Sequence, residues 1–133
     1  MVLYTKCIYE KISAFDGIRV SVMSRHTEDD GKNPDPNILE GVTFDEWEKK
    51  LGPPQKLIGA YYRGGKIWDP FENGYLAHIR SDEIKPLVEN LARDAKTQDI
   101  TVMCKELTPE HCHRRLLAEE CKKHEPSLEI VLR

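Results

Sequence analysis

Apolar and polar side chains alternate in two segments near the start of the chain. Residues 2–9 alternate with a period of two and are rich in β-forming residues. After a turn signal at Asp16-Gly17, residues 18–23 alternate in the same way. Residues 100–104 form a continuous apolar run rich in β-branched side chains, and residues 128–132 are mostly apolar. The pattern predicts four strands.

The intervening segments show a helical period. The capping box Thr43-x-x-Glu46 predicts a short helix, and a second helix is expected from Pro53-Pro54 to Arg63. Residues 69–79 form a further helical segment, and residues 81–95 carry an apolar stripe of the width that a core-facing helix needs.

The last predicted helix begins near the C-terminal end of the chain. Thr108 is placed as its N-cap and Pro109 as its first residue, with Pro126 marking its end. A strand, a helix and a strand in succession predict a parallel crossover. The whole pattern predicts an α/β fold for a single domain, residues 1–133. Its small, partly parallel four-stranded sheet is covered by helices in Rossmann-like layers.

Composition narrows the class of protein. The 133 residues are 39% hydrophobic and 32% charged, and neither a signal peptide nor a membrane-length apolar run is seen. These features predict a cytoplasmic protein with no membrane partner and reduced cysteines. The net charge of −3 argues against non-specific wrapping of nucleic acid, although it allows a local basic pocket.

The predicted strand ending at Cys104 is followed within a few residues by a predicted helix start. Ligands of open α/β sheets collect beyond the carboxyl ends of strands, where helix amides favour anions. Arg114 and Arg115 add forked donors suited to phosphate. Arg25, just past the second strand, would join them if that strand runs parallel to the third. The alternative is that these arginines are solvated or paired with Glu110, Glu119 or Glu120.

Three residues of the same stretch are candidates for catalysis. Cys112 is placed in the first helical turn, where the pKa of a thiol falls, and His113 lies beside it. Glu106 in the preceding loop is suited to proton transfer or to binding a ligand hydroxyl. The alternatives are that Cys112 is a buried packing residue and that Glu106 is a solvated loop residue.

A metal site is not predicted. Cys104, His111, Cys112 and His113 are ligand types, but their spacing matches no closed zinc site. Neighbours on a helix also diverge by about 100°, so the last three would not face one ion.

Most aromatic residues fall in one stretch between residues 44 and 75. Such a segment can cover the ligand end of a sheet and stack on a base, although a core built from short helices is the more ordinary interpretation. The residues are Phe44, Trp47, Tyr61, Tyr62, Trp68, Phe71 and Tyr75.

The motif Cys104-x-Glu106-x-x-Pro109-x-x-Cys112-His113-Arg114, followed by Leu116-Leu117-Ala118-Glu119, resembles the C-terminal signature of the small prokaryotic DUF488 family, which includes the YeaO-like proteins. In that family the second strand usually ends in an acidic residue and an arginine. Here the corresponding end is Ser24-Arg25, so only Arg25 carries over. The resemblance implies an α/β fold and a site in which Arg25 acts together with the motif residues. It implies no reaction.

Three functions are compatible with these residues. The first is binding or processing of a phosphate-bearing small molecule or nucleotide at residues 104–115. The second is a non-catalytic interaction or nucleic-acid-associated module that uses the aromatic segment. The third is a thiol redox or metal sensor, which requires the sulfurs of Cys104 and Cys112 to lie within bonding reach or to share an ion. The sequence does not identify a cofactor.

Overall fold

The computed structural model describes residues 1–133, which form a mixed α/β unit around one parallel sheet. Five strands pair in the order β3-β2-β4-β1-β5, and every pair is parallel. The strands are β1 Val2–Cys7, β2 Ile18–Ser21, β3 Glu46–Trp47, β4 Ile100–Cys104 and β5 Glu129–Val131. The four predicted strands are therefore confirmed, and the sheet has one strand more than predicted.

Four α-helices accompany the sheet. They are α1 Gln55–Arg63, α2 Trp68–Ile79, α3 Lys85–Ala95 and α4 His113–His124. The first two lie where the sequence predicts them. The third begins later than predicted, because the amides of Ile84 and Lys85 both donate to the Ser81 carbonyl in a turn that precedes the helix. None of the helices is both long and apolar enough to cross a bilayer.

The helix predicted from the capping box at Thr43 is wrong. The Thr43 hydroxyl accepts a hydrogen bond from the amide of Leu39, not from a helical amide. Residues 46–47 instead pair with β2, and only a short 3₁₀ turn, Lys49–Leu51, follows. The Asp45 carboxylate secures this pairing by accepting from the amide of Arg19 at 2.9 Å. The open edge of β2 thus offers partners that override the local helical signal.

The predicted start of the last helix at Pro109 is also wrong. Residues 109–112 form a turn closed by a hydrogen bond from the Cys112 amide to the Pro109 carbonyl. Cys112 has extended backbone angles and is the N-cap, so α4 begins at His113. Cys112 therefore lies outside the helix and packs in a small apolar cluster with Ile8, Met23, Ile38, Phe44, Met103 and Cys104.

The larger core, which includes Leu3 and Val102 of the central strands, lies between the sheet and α2, α3 and α4. A buried ion pair fixes the loop that joins β1 to β2. The Lys6 ammonium lies 2.9 Å from the Asp16 carboxylate, and the Asp16 carbonyl accepts from the Thr101 hydroxyl at 2.6 Å. These contacts hold the start of β2 against β4.

Gly17 is the residue at which this loop requires glycine. Its φ is +64°, and an added Cβ would overlap the main chain of Asp99. Gly17→Ala is therefore expected to lower the free energy of unfolding by about 3 kcal/mol, measured by urea denaturation.

Gly65→Ala is the matched control. Its φ is +80°, but no heavy atom lies within 4 Å of the added Cβ, so only backbone strain of about 1 kcal/mol is expected. Equal losses in the two variants would contradict the proposed overlap at Asp99.

Candidate functional site

A cleft of about 880 Å³ lies at the carboxyl edge of the sheet. Because β1, β2 and β4 are parallel, the segments that follow them emerge at the same edge. Tyr9 follows β1, Met23–Arg25 follow β2, and Lys105–Leu107 follow β4, and all of them line the cleft. The opposite wall comes from α1, the loop after it and the first turn of α2.

Aromatic rings dominate that wall. Tyr61 packs on Phe71 with ring centroids 4.8 Å apart, and Trp68 stacks on His111 at 4.9 Å. Tyr62 is 51% exposed and presents its ring to the cleft rim. Most of the aromatic segment thus lies at the carboxyl edge of the sheet. Trp47 is an exception: it stacks on His26, donates its indole N–H to the Met23 carbonyl, and does not line the cleft.

The cleft carries four basic side chains. Arg25 donates to the Gln55 side chain at 2.9 Å, and Lys105 pairs with Asp29. Arg63 and Lys66, which flank Gly64-Gly65, form no ion pair. The charge available to a ligand therefore comes mainly from Arg63, Lys66 and Arg25, and sequence reasoning identified only Arg25. The double glycine between two cations, directly after an aromatic pair, was the available signal for the others.

Glu106 lies on the exposed loop after β4 and lines the cleft beside the aromatic wall. Its charge acts on both tyrosines: burial raises the pKa of Tyr61 and Tyr62, and the nearby Glu106 carboxylate raises it further. The carboxylate is exposed in the cleft, and its role in proton transfer or in binding a ligand hydroxyl stays a prediction.

Arg114 is directed into the protein, not toward a ligand. Its side chain is fully buried and does not line the cleft. The guanidinium donates to the carbonyls of Glu106 at 2.7 Å and Arg133 at 3.0 Å, and to the Cys104 sulfur at 3.2 Å. Arg114 thus ties the loop after β4 to the segment after β5. The role of Arg114 in binding a ligand stays a prediction, and none of these contacts supports it.

Arg115 also lies outside the cleft. It pairs with Glu119 at 2.9 Å and with Glu72 at 3.4 Å, and its guanidinium lies over the Trp68 ring. The expected alternative of a local ion pair with Glu119 is confirmed. Arg115 supports the aromatic wall from behind, while Arg25 is the one predicted arginine that reaches the cleft.

Cys104 and Cys112 are joined by a disulfide, so the expectation of four reduced cysteines is wrong for these two. Cys7 and Cys121 are free and buried. The sequence did not predict the bond between Cys104 and Cys112, because it placed Cys112 inside a helix. As the extended N-cap residue it turns back to the end of β4, and both sulfurs lie at the cleft wall. The geometric requirement for a redox or metal site is met.

His113 completes this group. It is buried, and its Nε2–H donates to the Val22 carbonyl at 2.7 Å. Burial lowers its pKa to about 4, with a further contribution from Arg114, so the ring is neutral at physiological pH. One ligand atom from each of Cys104, Cys112 and His113 lies within 4.8 Å of the others. The helical divergence that argued against a shared ion does not apply, because Cys112 precedes the helix.

A family model described as "Domain of unknown function DUF488" matches residues 9–121. The chain belongs to the DUF488 family. No curated protein and no solved structure matches it. Every residue that lines the cleft falls inside the DUF488 match, whereas β1 and β5 both fall outside it.

The buried guanidinium of Arg114 gives a test of how this DUF488 site is held together. Arg114→Met keeps the side-chain volume but leaves the Glu106 and Arg133 carbonyls without their donor. Urea denaturation is expected to show a loss of about 3 kcal/mol, because buried acceptors are costly to leave unpaired.

Arg115→Met is the control on the next residue. Its ion pairs are partly exposed, so a loss below about 1 kcal/mol is expected. If both variants lose the same amount, Arg114 does not have the anchoring role described here.

Proposed function

We propose that this protein binds a nucleoside phosphate in the cleft at the carboxyl edge of its sheet. The observation that carries the proposal is the combination of an aromatic wall with two unpaired cations, Arg63 and Lys66, at one opening. A ligand that matches both features has a flat ring and an anionic group.

The phosphate is assigned to the cationic side chains of the cleft. Arg63 offers forked donors and Lys66 a point charge, and neither forms an ion pair with a carboxylate of the chain. Arg25 approaches from the loop after β2, where it donates to the neutral Gln55 side chain and lies near the Asp30 carboxylate without forming an ion pair with it. This set replaces Arg114 and Arg115 as the ligand-binding cations.

The base and sugar are assigned to the aromatic side chains and Glu106. The Lys66 ammonium lies over one face of the Tyr62 ring, 5.3 Å from its centroid, so the flat ring of a ligand is assigned to the other face, where it gains stacking energy. The Glu106 carboxylate accepts hydrogen bonds from hydroxyls, as acidic residues do for ribose in related α/β clefts. The volume of about 880 Å³ lies in the range usual for small-molecule sites.

Of the three residues predicted as catalytic, Glu106 is the best placed for proton transfer, because its carboxylate lies in the cleft and forms no ion pair. Cys112 is bonded to Cys104, so a nucleophilic role would first require reduction. The His113 ring is neutral, with Nε2 committed to the Val22 carbonyl. A purely macromolecular interaction surface receives less support, since Trp47 does not share the cleft face of Tyr62 and Trp68.

Calorimetric titration with the four common nucleoside 5′-monophosphates tests the proposal. At least one is expected to bind, and the corresponding nucleoside, which lacks the phosphate, is expected to bind at least about tenfold more weakly. Arg63→Gln and Lys66→Gln should each weaken the monophosphate by about tenfold, since each removes a charge-assisted contact.

Lys56→Gln is the matched control, because Lys56 lies on α1 without lining the cleft. It is expected to leave binding unchanged. Failure of all four monophosphates to bind, or equal affinity for the nucleoside and its phosphate, would overturn the proposal.

A further inference from the structure

The wall of the cleft contains three metal-ligating side chains. The sulfurs of Cys104 and Cys112 and a ring nitrogen of His113 lie within 4.8 Å of one another. All three residues are buried and all three line the cleft. After reduction of the disulfide the group consists of two thiols beside a neutral imidazole, which is a ligand set that zinc uses in proteins.

The main-chain spacing of the two cysteines suits a shared ion. Their Cα atoms are 7.6 Å apart, whereas disulfides usually span roughly 4.4–6.8 Å. Two thiolates on a tetrahedral Zn²⁺ are held about 3.8 Å apart, given Zn–S bonds of about 2.3 Å. Breaking the S–S bond therefore lets the sulfurs move apart around an ion while the backbone keeps its separation.

The hydrogen bond of His113 leaves one ring nitrogen free to bind an ion. Because a carbonyl can only accept, the 2.7 Å contact with Val22 places the proton on Nε2. Nδ1 of the neutral ring then carries the lone pair. Ligating histidines commonly donate their other N–H to a carbonyl in this way, which fixes the tautomer and the ring orientation.

A positive group lies beside each of the two cysteines. Cys112 is the N-cap of α4, where the helix dipole stabilises negative charge. The Arg114 guanidinium donates to the Cys104 sulfur at 3.2 Å and supplies a fixed positive charge beside it. Cys121, by contrast, lies deep in the main core, and burial raises its pKa to about 12.

We propose that the reduced protein binds a thiophilic divalent cation, of the class of Zn²⁺, through Cys104, Cys112 and His113. The fourth coordination position faces the cleft, because all three side chains line it. Such an open position is typical of catalytic zinc sites.

Binding moves protons but no electrons. Each thiol gives its proton to solvent as its sulfur bonds the ion, so one M²⁺ displaces two H⁺ and the imidazole contributes a lone pair. The disulfide and the metal complex exclude each other, since both use the same two sulfurs. The site does not depend on nucleoside phosphate binding, and its test contains no nucleotide.

The experiment uses the full chain, reduced with a phosphine, stripped with a chelator and desalted without oxygen. Co²⁺ is titrated in while the absorption spectrum is recorded. One equivalent is expected to produce a thiolate-to-cobalt charge-transfer band with the visible bands of tetrahedral cobalt, and Zn²⁺ should displace it. The unreduced protein should show no such band. A reduced wild-type protein without the charge-transfer band overturns the proposal, whatever the variants do.

Variants identify the ligands. Cys104→Ser, Cys112→Ser and His113→Gln should each weaken Co²⁺ binding at least about a hundredfold. Loss of a residue that only contacts a metal ligand already lowers metal affinity by up to about a hundredfold, and loss of a ligand itself should lower it at least as much. Cys121→Ser and His111→Gln are the controls and should keep the wild-type spectrum. Circular dichroism checks that each variant is folded. An unchanged band in folded Cys112→Ser, or loss of the band in folded Cys121→Ser, would show that these are not the ligands.

Discussion

Parallel pairing of β4 with both β1 and β2 is the constraint on which the rest of this structure depends. In a parallel sheet the carboxyl ends of neighbouring strands lie at one edge, so the loops after three distant strands become neighbours there. The buried Lys6–Asp16 pair and the Asp16 contact with Thr101 hold β2 in that register. This alignment brings Arg25, after β2, and Cys104, at the end of β4, into the same cleft.

The buried guanidinium of Arg114 is the second organising element, and it acts at the same edge. A charged group without exposure is costly unless its donors are all satisfied. Here its donors go to the main chain on either side, at Glu106 and Arg133, and to the Cys104 sulfur. The arginine of the Cys-His-Arg motif therefore shapes the loop that carries Glu106 and positions the paired cysteines. This role of Arg114 is structural, and the motif alone does not show whether its arginine stabilises the fold or binds a ligand.

The cleft has two walls of different chemistry. One is built from strand ends and holds the cysteine pair, His113 and Glu106; the other is built from α1 and the turn after it and holds aromatic rings and unpaired cations. A nucleoside phosphate spans both, with its ring and charge on the second wall and its hydroxyls near Glu106. A cation bound on the first wall would face the same cleft as the nucleoside phosphate. The two ligands would therefore lie close together, although the binding of each is tested separately.

Local sequence determined much of the fold. Helical periodicity predicts α1 and α2 and a continuous apolar run predicts β4, each close to its observed bounds, and Asp16-Gly17 predicts a turn that the positive φ of Gly17 confirms. The motif from Cys104 to Arg114 also identifies the family and one side of the site. These features depend on neighbours along the chain, which the sequence displays directly.

Tertiary structure decided the rest, because the deciding partners lie far away in sequence. The segment at Thr43 becomes extended through pairing with β2, and Arg114 turns inward to meet a carbonyl 19 residues away. His113 finds its acceptor in Val22, 91 residues distant, and Cys112 reaches Cys104 only because α4 starts later than its capping signal suggests. No local pattern encodes such contacts, so the sequence determined which chemistry is present and the packed sheet edge determined which groups meet.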